Sequence, residues 1–359
     1  MKIIHIITTI ERGGAENQLI QNLLIQKSKS IDVNVLFLKG YPYWRNYLKE
    51  NNIKVFGPFF DKYYYFNLFG LFSFYKKIKN ARIIHCHMPP SLLLVVFVTL
   101  FIGKKKIIYT SHNDEQFIPI GFLDNFFSKF ILNKADQIIA ITSSVKKFLI
   151  RRYKLNPKKI IIIQYSFDPL SYKEVNLTLS NEFDFYKNDY IYIGTVARLV
   201  TQKRIDLLLK AFKEVNKQNK KIKLVILGDG IEKKKLLKLS TSLNLSNNII
   251  WINYSEYVIQ HMQYWSLFCL TSQYEGFGLV LLEAIYAKLP ILAMNVSSIK
   301  DIVGPCGELV QFGDYLNFSK KIQFILKNKN NYLKNNYLIN FDPEVNFQNH
   351  LNIYNSLKT

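Results

Sequence analysis

Short apolar runs rich in β-branched residues alternate with longer amphipathic stretches along the chain. This alternation is typical of parallel strands joined by helices, so it predicts an α/β fold. In the first half the predicted strands are Ile3–Thr8, Val33–Leu38, Arg82–Cys86, Lys106–Thr110, Gln137–Ile141 and Ile160–Gln164. In the second half they are Tyr190–Val196, Lys223–Leu227, Ile249–Ile252, Leu267–Thr271 and Pro290–Met294. Each set predicts one doubly wound sheet.

A polar stretch separates the two sets of strands. Between Ser166 and Asn188 the apolar alternation lapses and Pro, Ser, Asn and Asp appear, which predicts an interdomain linker. A chain of 359 residues also exceeds the size at which one hydrophobic core usually keeps growing. We therefore expect an amino-terminal domain at 1–168, a linker at 169–188, a carboxy-terminal domain at 189–340 and a final helical segment at 341–359.

The apolar segments and the cysteines favour a cytoplasmic protein. The longest apolar run, Leu92–Ile102, is well short of the about 20 residues that span a bilayer, so we interpret it as a core helix. The opening run Lys2–Ile7 is too short for a signal-peptide apolar region and predicts a buried strand. An odd number of scattered cysteines fits a reducing compartment. They are Cys86, Cys269 and Cys306.

The net charge is strongly positive, +22 at pH 7. A field of this size attracts anionic surfaces, either nucleic acid or a membrane. Over-use of Lys, Asn, Ile, Tyr and Phe together is also what the codon bias of an AT-rich genome produces, and this explanation stays open. The greater part of the excess precedes Asp168 and is mixed with aromatic residues at 41–45 and 59–79. A membrane-binding surface is expected there.

The first motif follows the first predicted strand, where Gly13 and Gly14 precede a helical pattern. Adjacent glycines let backbone N–H groups approach a phosphate at a helix N-terminus, where the helix dipole favours negative charge. A strand-to-helix turn also needs glycine for steric reasons alone, so both interpretations stay open. The Gly-x-Gly-x-x-Gly fingerprint of dinucleotide-binding enzymes is absent, which argues against a dehydrogenase.

The second motif contains two cations, Arg198 and Lys203, just after the strand Tyr190–Val196. Open α/β sheets bind ligands at the carboxyl ends of their strands, and both cations suit a diphosphate. For this segment taken alone, a salt-bridge pair at a helix start is the alternative.

The third motif, Ser272–Ala284, is the strongest and also follows a predicted strand. Gly276 and Gly278 open the backbone so that N–H groups at the next helix start can bind an anionic or hydroxylated ligand. Glu275 in the loop and Glu283 about one turn into the helix can reach one pocket. Carboxylates accept hydrogen bonds from paired sugar or ribose hydroxyls. Because Glu283 has apolar neighbours on both sides, a solvated helix face is a poor alternative for it.

Taken in order, these motifs resemble the retaining GT-B-fold glycosyltransferases known as glycosyl transferases group 1. The resemblance covers nearly the whole chain and rests on Gly13-Gly14-Ala15-Glu16, His85-Cys86-His87, Ser111-His112-Asn113, Ala135–Ala140, Arg198 with Lys203, Gly228-Asp229-Gly230, and Glu275 with Glu283. It implies two Rossmann-like domains facing each other across a cleft, with the acceptor bound by the first and the nucleotide sugar by the second. The final helix, Glu344–Leu357, would cross back to the first domain.

The resemblance also implies roles for residues of the second domain. Arg198 and Lys203 would hold the donor diphosphate, and Glu283 would accept the ribose hydroxyls. The donor sugar would contact the Glu275 side chain and the backbone at Phe277, Gly278 and Leu279. Asp229 and Gly230 would line the nucleotide side.

In the first domain, the resemblance brings Gly14 to the diphosphate and His112 beside the transferred sugar. The implied catalytic set is thus His112, Glu275, Arg198 and Lys203. A histidine after a strand is equally often a core or capping group, but the position of His112 at a strand end favours function. His85 and His87 are explained by alternation on one strand. They have no Cys or carboxylate partners at metal-ligand spacing, so we assign them no catalytic role.

Three positions depart from the family pattern. Arg204 and Lys288 stand where glycines are usual, and Tyr165-Ser166 replaces an Asn-Gly turn. The change at Arg204 bears on how the donor phosphates are held. The other two are expected to affect local turns only.

We therefore expect a retaining hexosyltransferase that needs no cofactor and no divalent metal, since the chain has no Asp-x-Asp motif. The donor would be a nucleotide sugar, UDP-linked by preference and GDP-mannose as the alternative. The acceptor would be a glycan or lipid-linked glycan at the inner face of the cytoplasmic membrane, with an anionic membrane surface and no nucleic acid as partner. A nucleotide-sugar epimerase or hydrolase on the same fold is the rival enzyme. A basic protein that binds nucleic acid or membrane is the rival of another class.

Overall fold

The computed structural model describes residues 1–11, 13–60, 67–113, 124–169, 183–296, 298–334 and 336–358. The chain divides into two compact units. The first unit is Met1–Ser166 with Phe341–Thr359, and the second unit is Phe167–Asn340. Most of the predicted linker, 170–182, lies outside the described residues, as does 61–66 of the basic aromatic stretch.

The first unit is built on a sheet of seven parallel strands. Its strands are β1 (Lys2–Ile7), β2 (Asp32–Phe37), β3 (Lys54–Phe56), β4 (Ile83–His87), β5 (Lys106–Ser111), β6 (Gln137–Ala140) and β7 (Ile160–Ile162). Their order is β3-β2-β1-β4-β5-β6-β7. The order reverses between β1 and β4, which makes the sheet doubly wound as predicted.

Seven helices of the first unit are described. They are α1 (Gly14–Ser28), α2 (Arg45–Glu50), α3 (Leu68–Ile78), α4 (Pro89–Ile102), α5 (Asp124–Lys134), α6 (Ser143–Tyr153) and, at the end of the chain, α13 (Pro343–Ser356). Helix α13 begins with the Asp342 carboxylate accepting from the backbone of Glu344 and Val345, and with proline at its first position. Its residues Phe347, Ile353 and Tyr354 join the core formed by β1, β2 and α1, so the final helix completes the first unit.

The second unit repeats this architecture with six parallel strands in the order β10-β9-β8-β11-β12-β13. The strands are β8 (Ile191–Val196), β9 (Ile222–Leu227), β10 (Ile249–Ile252), β11 (Trp265–Leu270), β12 (Ile291–Asn295) and β13 (Gly307–Gln311). The described helices are α7 (Ile205–Gln218), α8 (Lys233–Ser242), α9 (Val258–Gln263), α10 (Leu279–Tyr286), α11 (Ile299–Val303) and α12 (Tyr315–Lys327). The unit has its own core, in which α7 and α12 cover the sheet.

The central strands are buried on both faces, which explains their nearly continuous apolar sequences. In β1 every residue after Lys2 is buried, and His5 is the one polar residue among them. A polar group in such a place needs hydrogen-bond partners inside the protein. The partners of His5 are part of the candidate site.

Two strands, β3 and β13, are not predicted by the sequence pattern. Both lie at the edge of their sheet. Strand β3 has no fully buried residue and β13 buries only Val310. An edge strand pairs on one side and packs less, so it can do without the apolar run by which strands are recognised. The other two edge strands, β7 and β10, keep such a run and are predicted.

Helix α4 corrects the prediction of a core helix at 92–102. Its first turns are buried, but Leu100 and Phe101 at its end are 71% and 70% exposed. No helix among the described residues is both long and apolar enough to cross a membrane.

Candidate active site

Three of the sequence motifs lie together in the second unit, at the carboxyl ends of the strands of its sheet. Strand β8 lies between β9 and β11, and the loops after these three strands carry Arg198, Asp229 and Glu275. The Leu199 N–H donates to the Asp229 carbonyl at 2.8 Å. The Gln273 N–H donates to the Gln202 carbonyl, also at 2.8 Å. These bonds join the loops into one surface at the carboxyl ends of the strands, where α/β sheets bind ligands.

Gly228 permits this close approach. It has φ +143°, and a Cβ atom there would lie 1.9 Å from the Ala197 carbonyl oxygen. The Gly-Asp-Gly motif is therefore required by the packing of two loops, in addition to any role in binding.

Lys203 and Glu275 form a nearly buried ion pair. The Lys203 Nζ atom lies 2.5 Å from Glu275 Oε1, and the two side chains are 14% and 8% exposed. Ser272 Oγ donates to the same carboxylate oxygen at 2.6 Å, and Thr271 Oγ1 donates to the Lys203 carbonyl at 3.1 Å. The structure thus brings two predicted site residues together, and a diphosphate would compete with Glu275 for Lys203.

Arg198, the other predicted cation, is exposed to solvent. Among the described residues it enters no ion pair, so its charge is available to an anion in solution. Asp229 is also exposed, at 63% of its side chain, and lies 3.9 Å from Lys233 Nζ. These two side chains carry the solvent-facing part of the site.

Helix α10 supplies the remaining predicted residues of this unit. It begins after Gly278, which has φ +81°, and its first residue is Leu279. Phe277 is buried and fixes the loop, while Ser298 Oγ donates to the Gly276 carbonyl at 2.8 Å. Glu283 is half-buried one turn into the helix.

The family departures at Arg204 and Lys288 both have left-handed backbone, with φ +48° and φ +56°. Glycine adopts this conformation without strain, which gives a physical reason for the usual glycine at each position. The Arg204 guanidinium donates twice to the Asp206 carboxylate, at 2.9 and 3.0 Å. This hydrogen bonding raises the pKa of Arg204. The charge of Arg204 is therefore directed at Asp206.

In the first unit, the predicted Gly14 begins α1 and is exposed. The neighbouring Gly13 has a structural role: a Cβ atom there would lie 2.3 Å from a carboxylate oxygen of Glu16. Glu16 is buried in the first helical turn and accepts from Thr9 Oγ1 at 2.7 Å. The helix start thus already carries a carboxylate of the protein.

His112 follows β5 directly, and both of its ring nitrogens have protein partners. Its Nε2 lies 3.2 Å from His87 Nδ1, and its Nδ1 lies 2.5 Å from the Tyr165 hydroxyl. Burial lowers the pKa of His112 to about 3. The ring is therefore neutral at physiological pH, and its orientation is set from both sides.

His87 continues this contact into the core. Its Nε2 lies 3.1 Å from His5 Nδ1, and His5 Nε2 lies 3.1 Å from Gln26 Oε1. Burial lowers the pKa of His5 to about 4 and the pKa of His87 well below its ordinary value. A chain of four hydrogen bonds therefore runs from Gln26 through His5, His87 and His112 to Tyr165. We call it the histidine chain.

His85 lies beside the histidine chain and stacks on His87 with 4.3 Å between ring centroids. Its own bonds go to the Tyr354 hydroxyl at 2.8 Å and to Thr110 Oγ1 at 2.7 Å. His5, His85 and His87 are close enough to bind a metal ion, with ligand atoms within 4.8 Å of one another. All of their ring nitrogens already have hydrogen-bond partners, so the protein itself satisfies these rings.

Neither His5 nor the link from His87 to His112 is apparent from sequence spacing. His5 lies opposite His85 in the pairing of β1 with β4, and His85 pairs with Ile108 of β5. These neighbours are far apart along the chain. A doubly wound strand order, which sets β1 beside β4, is the one signal that brings them together before a structure is known.

The two doubly wound parallel sheets have the fold of the GT-B class of glycosyltransferases. Residues 180–339 match the family described as glycosyl transferases group 1. Residues 12–169 match glycosyltransferase family 4. Together the two matches span most of the chain and support a group 1 glycosyltransferase.

Curated relatives of this chain include glycosyltransferases named for poly(ribitol-phosphate) and for capsular polysaccharide biosynthesis. A poly(ribitol-phosphate) alpha-N-acetylglucosaminyltransferase of Staphylococcus aureus (strain COL) is 27% identical over 318 residues, which cover 84% of this chain and 56% of that protein. The capsular polysaccharide biosynthesis glycosyltransferase CapM of Staphylococcus aureus is 26% identical, covering 72% of this chain and 73% of CapM. The chain thus spans little more than half the length of the first of these relatives.

Solved structures share the fold. HepE from Anabaena, crystallised with UDP, superposes with a TM-score of 0.85 at 18% identity, covering 99% of this chain and all of that one (100%). The lipopolysaccharide outer core galactosyltransferase WaaB superposes with a TM-score of 0.74 at 21% identity, covering 99% of each chain. The predicted α/β class and GT-B fold are confirmed.

Proposed function

We propose that this chain transfers a sugar from a nucleotide-sugar donor to a glycan or lipid-linked acceptor in the synthesis of a bacterial surface polysaccharide. The observation that carries the proposal is the arrangement of Arg198, the Lys203–Glu275 pair and the start of α10 at the carboxyl ends of the second sheet. Cations and oriented N–H groups there suit a diphosphate. The roles of the relatives in surface polymers support the same function.

The donor is proposed to be a UDP-sugar, with GDP-mannose as the alternative. HepE was crystallised with UDP and with UDP-glucose, which supports the first choice. Glu283 would accept the ribose hydroxyls, and Asp229 with Gly230 would line the nucleotide side. The sugar would contact Glu275 and the backbone at Phe277, Gly278 and Leu279.

Departure of the nucleotide diphosphate requires positive charge at its oxygens. When a diphosphate binds, Lys203 turns from Glu275 toward it, and Arg198 adds a second charge. Glu275 then becomes free to accept hydrogen bonds from sugar hydroxyls. These two cations of the protein stabilise the charge on the leaving group, so the reaction needs no divalent metal. The acceptor attacks on the face from which the diphosphate leaves, with a diphosphate oxygen as base, and configuration is retained.

A panel of UDP- and GDP-sugars, each with and without a glycan or lipid-linked acceptor, tests this function. We expect nucleotide release only with one donor class and only when the acceptor is present, with the α or β configuration of the donor preserved in the product. Release or conversion without acceptor would identify a hydrolase or epimerase instead. The wild type should keep its rate in excess EDTA, and a rate restored only by added magnesium or manganese would refute the metal-free mechanism.

The membrane-facing part of the proposal rests on α3. Leu68 and Phe69 at its start are 77% and 89% exposed, and Lys76 and Lys77 lie in its last turn. Exposed apolar side chains beside lysines suit a surface of anionic lipid. We propose that this helix attaches the enzyme to the inner face of the cytoplasmic membrane, where a lipid-linked acceptor is found.

Vesicle sedimentation tests this attachment. The wild type should sediment with anionic vesicles at low salt and remain in solution with zwitterionic ones. Phe69→Ser should weaken sedimentation, whereas Ile231→Ser, at a residue 86% exposed in the second unit, should not. Equal sedimentation of both variants, or preferential binding to DNA over anionic vesicles, would contradict the proposal.

A further inference from the structure

We propose that His87 and His5 are positioning residues that fix the tautomer and ring orientation of His112. The inference rests on the proposed function and on the family resemblance, which implies that His112 lies beside the transferred sugar. It assigns a positioning role to His87 but not to His85, although alternation along the strand explains both histidines equally well.

The proton count along the histidine chain gives it one direction. A neutral imidazole has one N–H and one lone pair, so each ring donates one bond and accepts one. Gln26 Oε1 accepts, hence His5 Nε2 donates to it and His5 Nδ1 accepts from His87 Nε2. By the same count His87 Nδ1 accepts from His112 Nε2. His112 Nδ1 then accepts from the Tyr165 hydroxyl.

The Gln26 amide oxygen faces His5, at 3.1 Å from Nε2, and this contact sets the direction of the chain. The Tyr354 hydroxyl donates a hydrogen bond to His85 Nδ1, and His85 Nε2 donates one to Thr110 Oγ1. These bonds of His85 form a second chain, which does not include His112.

A protonated ring has two N–H groups and no lone pair, so it would leave two donors facing each other in this chain. Among the described residues, the groups that face the rings do not compensate such a charge. These groups are uncharged except for Glu16, which acts on Tyr165, and the further histidine His350 on α13. The chain consequently favours a neutral His112 with its proton on Nε2 and a lone pair at Nδ1.

This arrangement determines what His112 offers a sugar. A hydroxyl that displaces Tyr165 meets an acceptor nitrogen, because the Nε2 proton is held by His87. Loss of His87 removes the acceptor for that proton, and both tautomers of His112 become comparable in energy. The ring then donates or accepts at Nδ1 without preference.

Ring-¹⁵N NMR of the full-length protein tests the proposal without any activity measurement. We expect His112 to be a single tautomer protonated at Nε2 in the wild type and in His85→Leu, and a mixture in His87→Leu. His87→Asn should restore the single tautomer, because the amide oxygen replaces Nδ1 as acceptor. His5→Leu, one bond further along the same chain, serves as a second probe if His87→Leu does not fold.

Kinetics on the same variants test the catalytic consequence. His85→Leu and His87→Leu remove equally buried, stacked rings of one strand, so both should lower stability. Only His87→Leu should reduce kcat further, by about tenfold or more at little change in KM, with recovery in His87→Asn. A mixed wild-type tautomer, an unchanged tautomer in His87→Leu, or equal kcat losses in the two leucine variants would overturn the proposal. A protein without transferase activity but with the expected NMR result would instead refute the proposed function alone.

Discussion

In the first unit the candidate site is a run of neutral rings inside the protein, and in the second it is a set of charges on loops. His5, His87 and His112 bond to one another and to uncharged partners, and burial keeps each ring unprotonated. Lys203 and Glu275 instead keep both charges by pairing at 2.5 Å, while Arg198 faces solvent. Two sheets of similar topology thus carry sites of different kinds, with neutral rings in the first unit and charged side chains in the second.

The difference follows from where the polar groups lie. A histidine within a central strand has no access to water, so its neutral form and a complete set of hydrogen bonds are the stable solution. A loop at the strand ends can expose one charge and partly bury another, provided the buried one is paired. The stability of the first unit should therefore fall in acid. The stability of the second unit should fall when one member of the Lys203–Glu275 pair is removed.

Lowering the pH is expected to give the largest difference in stability between the two units. Five of the six histidines lie in the first unit, and burial lowers the pKa of His5 and His350 to about 4 and of His112 to about 3. Because the unfolded chain binds protons near pH 6.5 and the folded unit does not, stability is full above that pH and falls as pH drops toward 4. Each such ring costs about 2 kcal/mol between pH 7 and pH 5.

Hydrogen exchange at the two pH values, corrected for the intrinsic exchange rate, measures this loss in each unit of the intact protein. Peptides of β1 and β4 should lose several kcal/mol of protection by this reckoning. Peptides of β8 and β9 provide the control, because the second unit holds one histidine, His261. Equal losses in the two units would show that the buried histidines do not set the acid response.

Removal of Lys203 gives the next largest effect. Lys203→Ala takes away a cation from the leaving-group site, and loss of one such group typically costs about a hundredfold in rate. It also leaves the nearly buried Glu275 carboxylate without its counter-charge, so stability should fall. In the double variant Lys203→Ala with Glu275→Gln, thermal stability should return while kcat stays low. Recovery of kcat along with stability would mean that Lys203 acts only through folding.

The two sites also differ in how far the sequence reveals them. The second-unit site consists of short contiguous motifs at strand ends, so Arg198, Lys203 and Glu275 are apparent once the strands are assigned. The pairing of Lys203 with Glu275 is not, because it joins residues separated along the chain by three strands. The histidine chain is hidden for the same reason. His5 and His87 lie in different strands and His112 follows a third, so their contacts are not visible in the spacing of the sequence.

The fold shows a similar division. Central strands are apolar throughout because they are buried on both faces, and the sequence predicts them all. The edge strands β3 and β13 have no such run and are missed. The exposed end of α4 is missed for the opposite reason: Leu100 and Phe101 are apolar without being buried, and an apolar run does not report which of its residues face the core.

The smallest expected effect concerns Lys288 and Arg204, two of the residues with left-handed backbone in the second unit. Lys288 lies just beyond α10, where its N–H donates to the Ile285 carbonyl and the Leu289 N–H donates to the Ala284 carbonyl, at 3.0 and 2.9 Å. This is a Schellman ending, whose left-handed position favours glycine. Lys288→Gly and Arg204→Gly should each raise stability, by about 0.5–1 kcal/mol after the greater freedom of glycine in the unfolded chain is subtracted. Lys238→Gly, in the exposed interior of α8, should lower it by about 1 kcal/mol. Urea unfolding of the three variants measures all three changes.

Because Arg204 directs its charge at Asp206, Arg204→Gly should also keep wild-type kcat, in contrast to the loss expected one residue earlier at Lys203. A large loss of kcat in Arg204→Gly would mean that its guanidinium leaves Asp206 to bind the donor, and that the charged site of the second unit extends beyond Arg198 and Lys203.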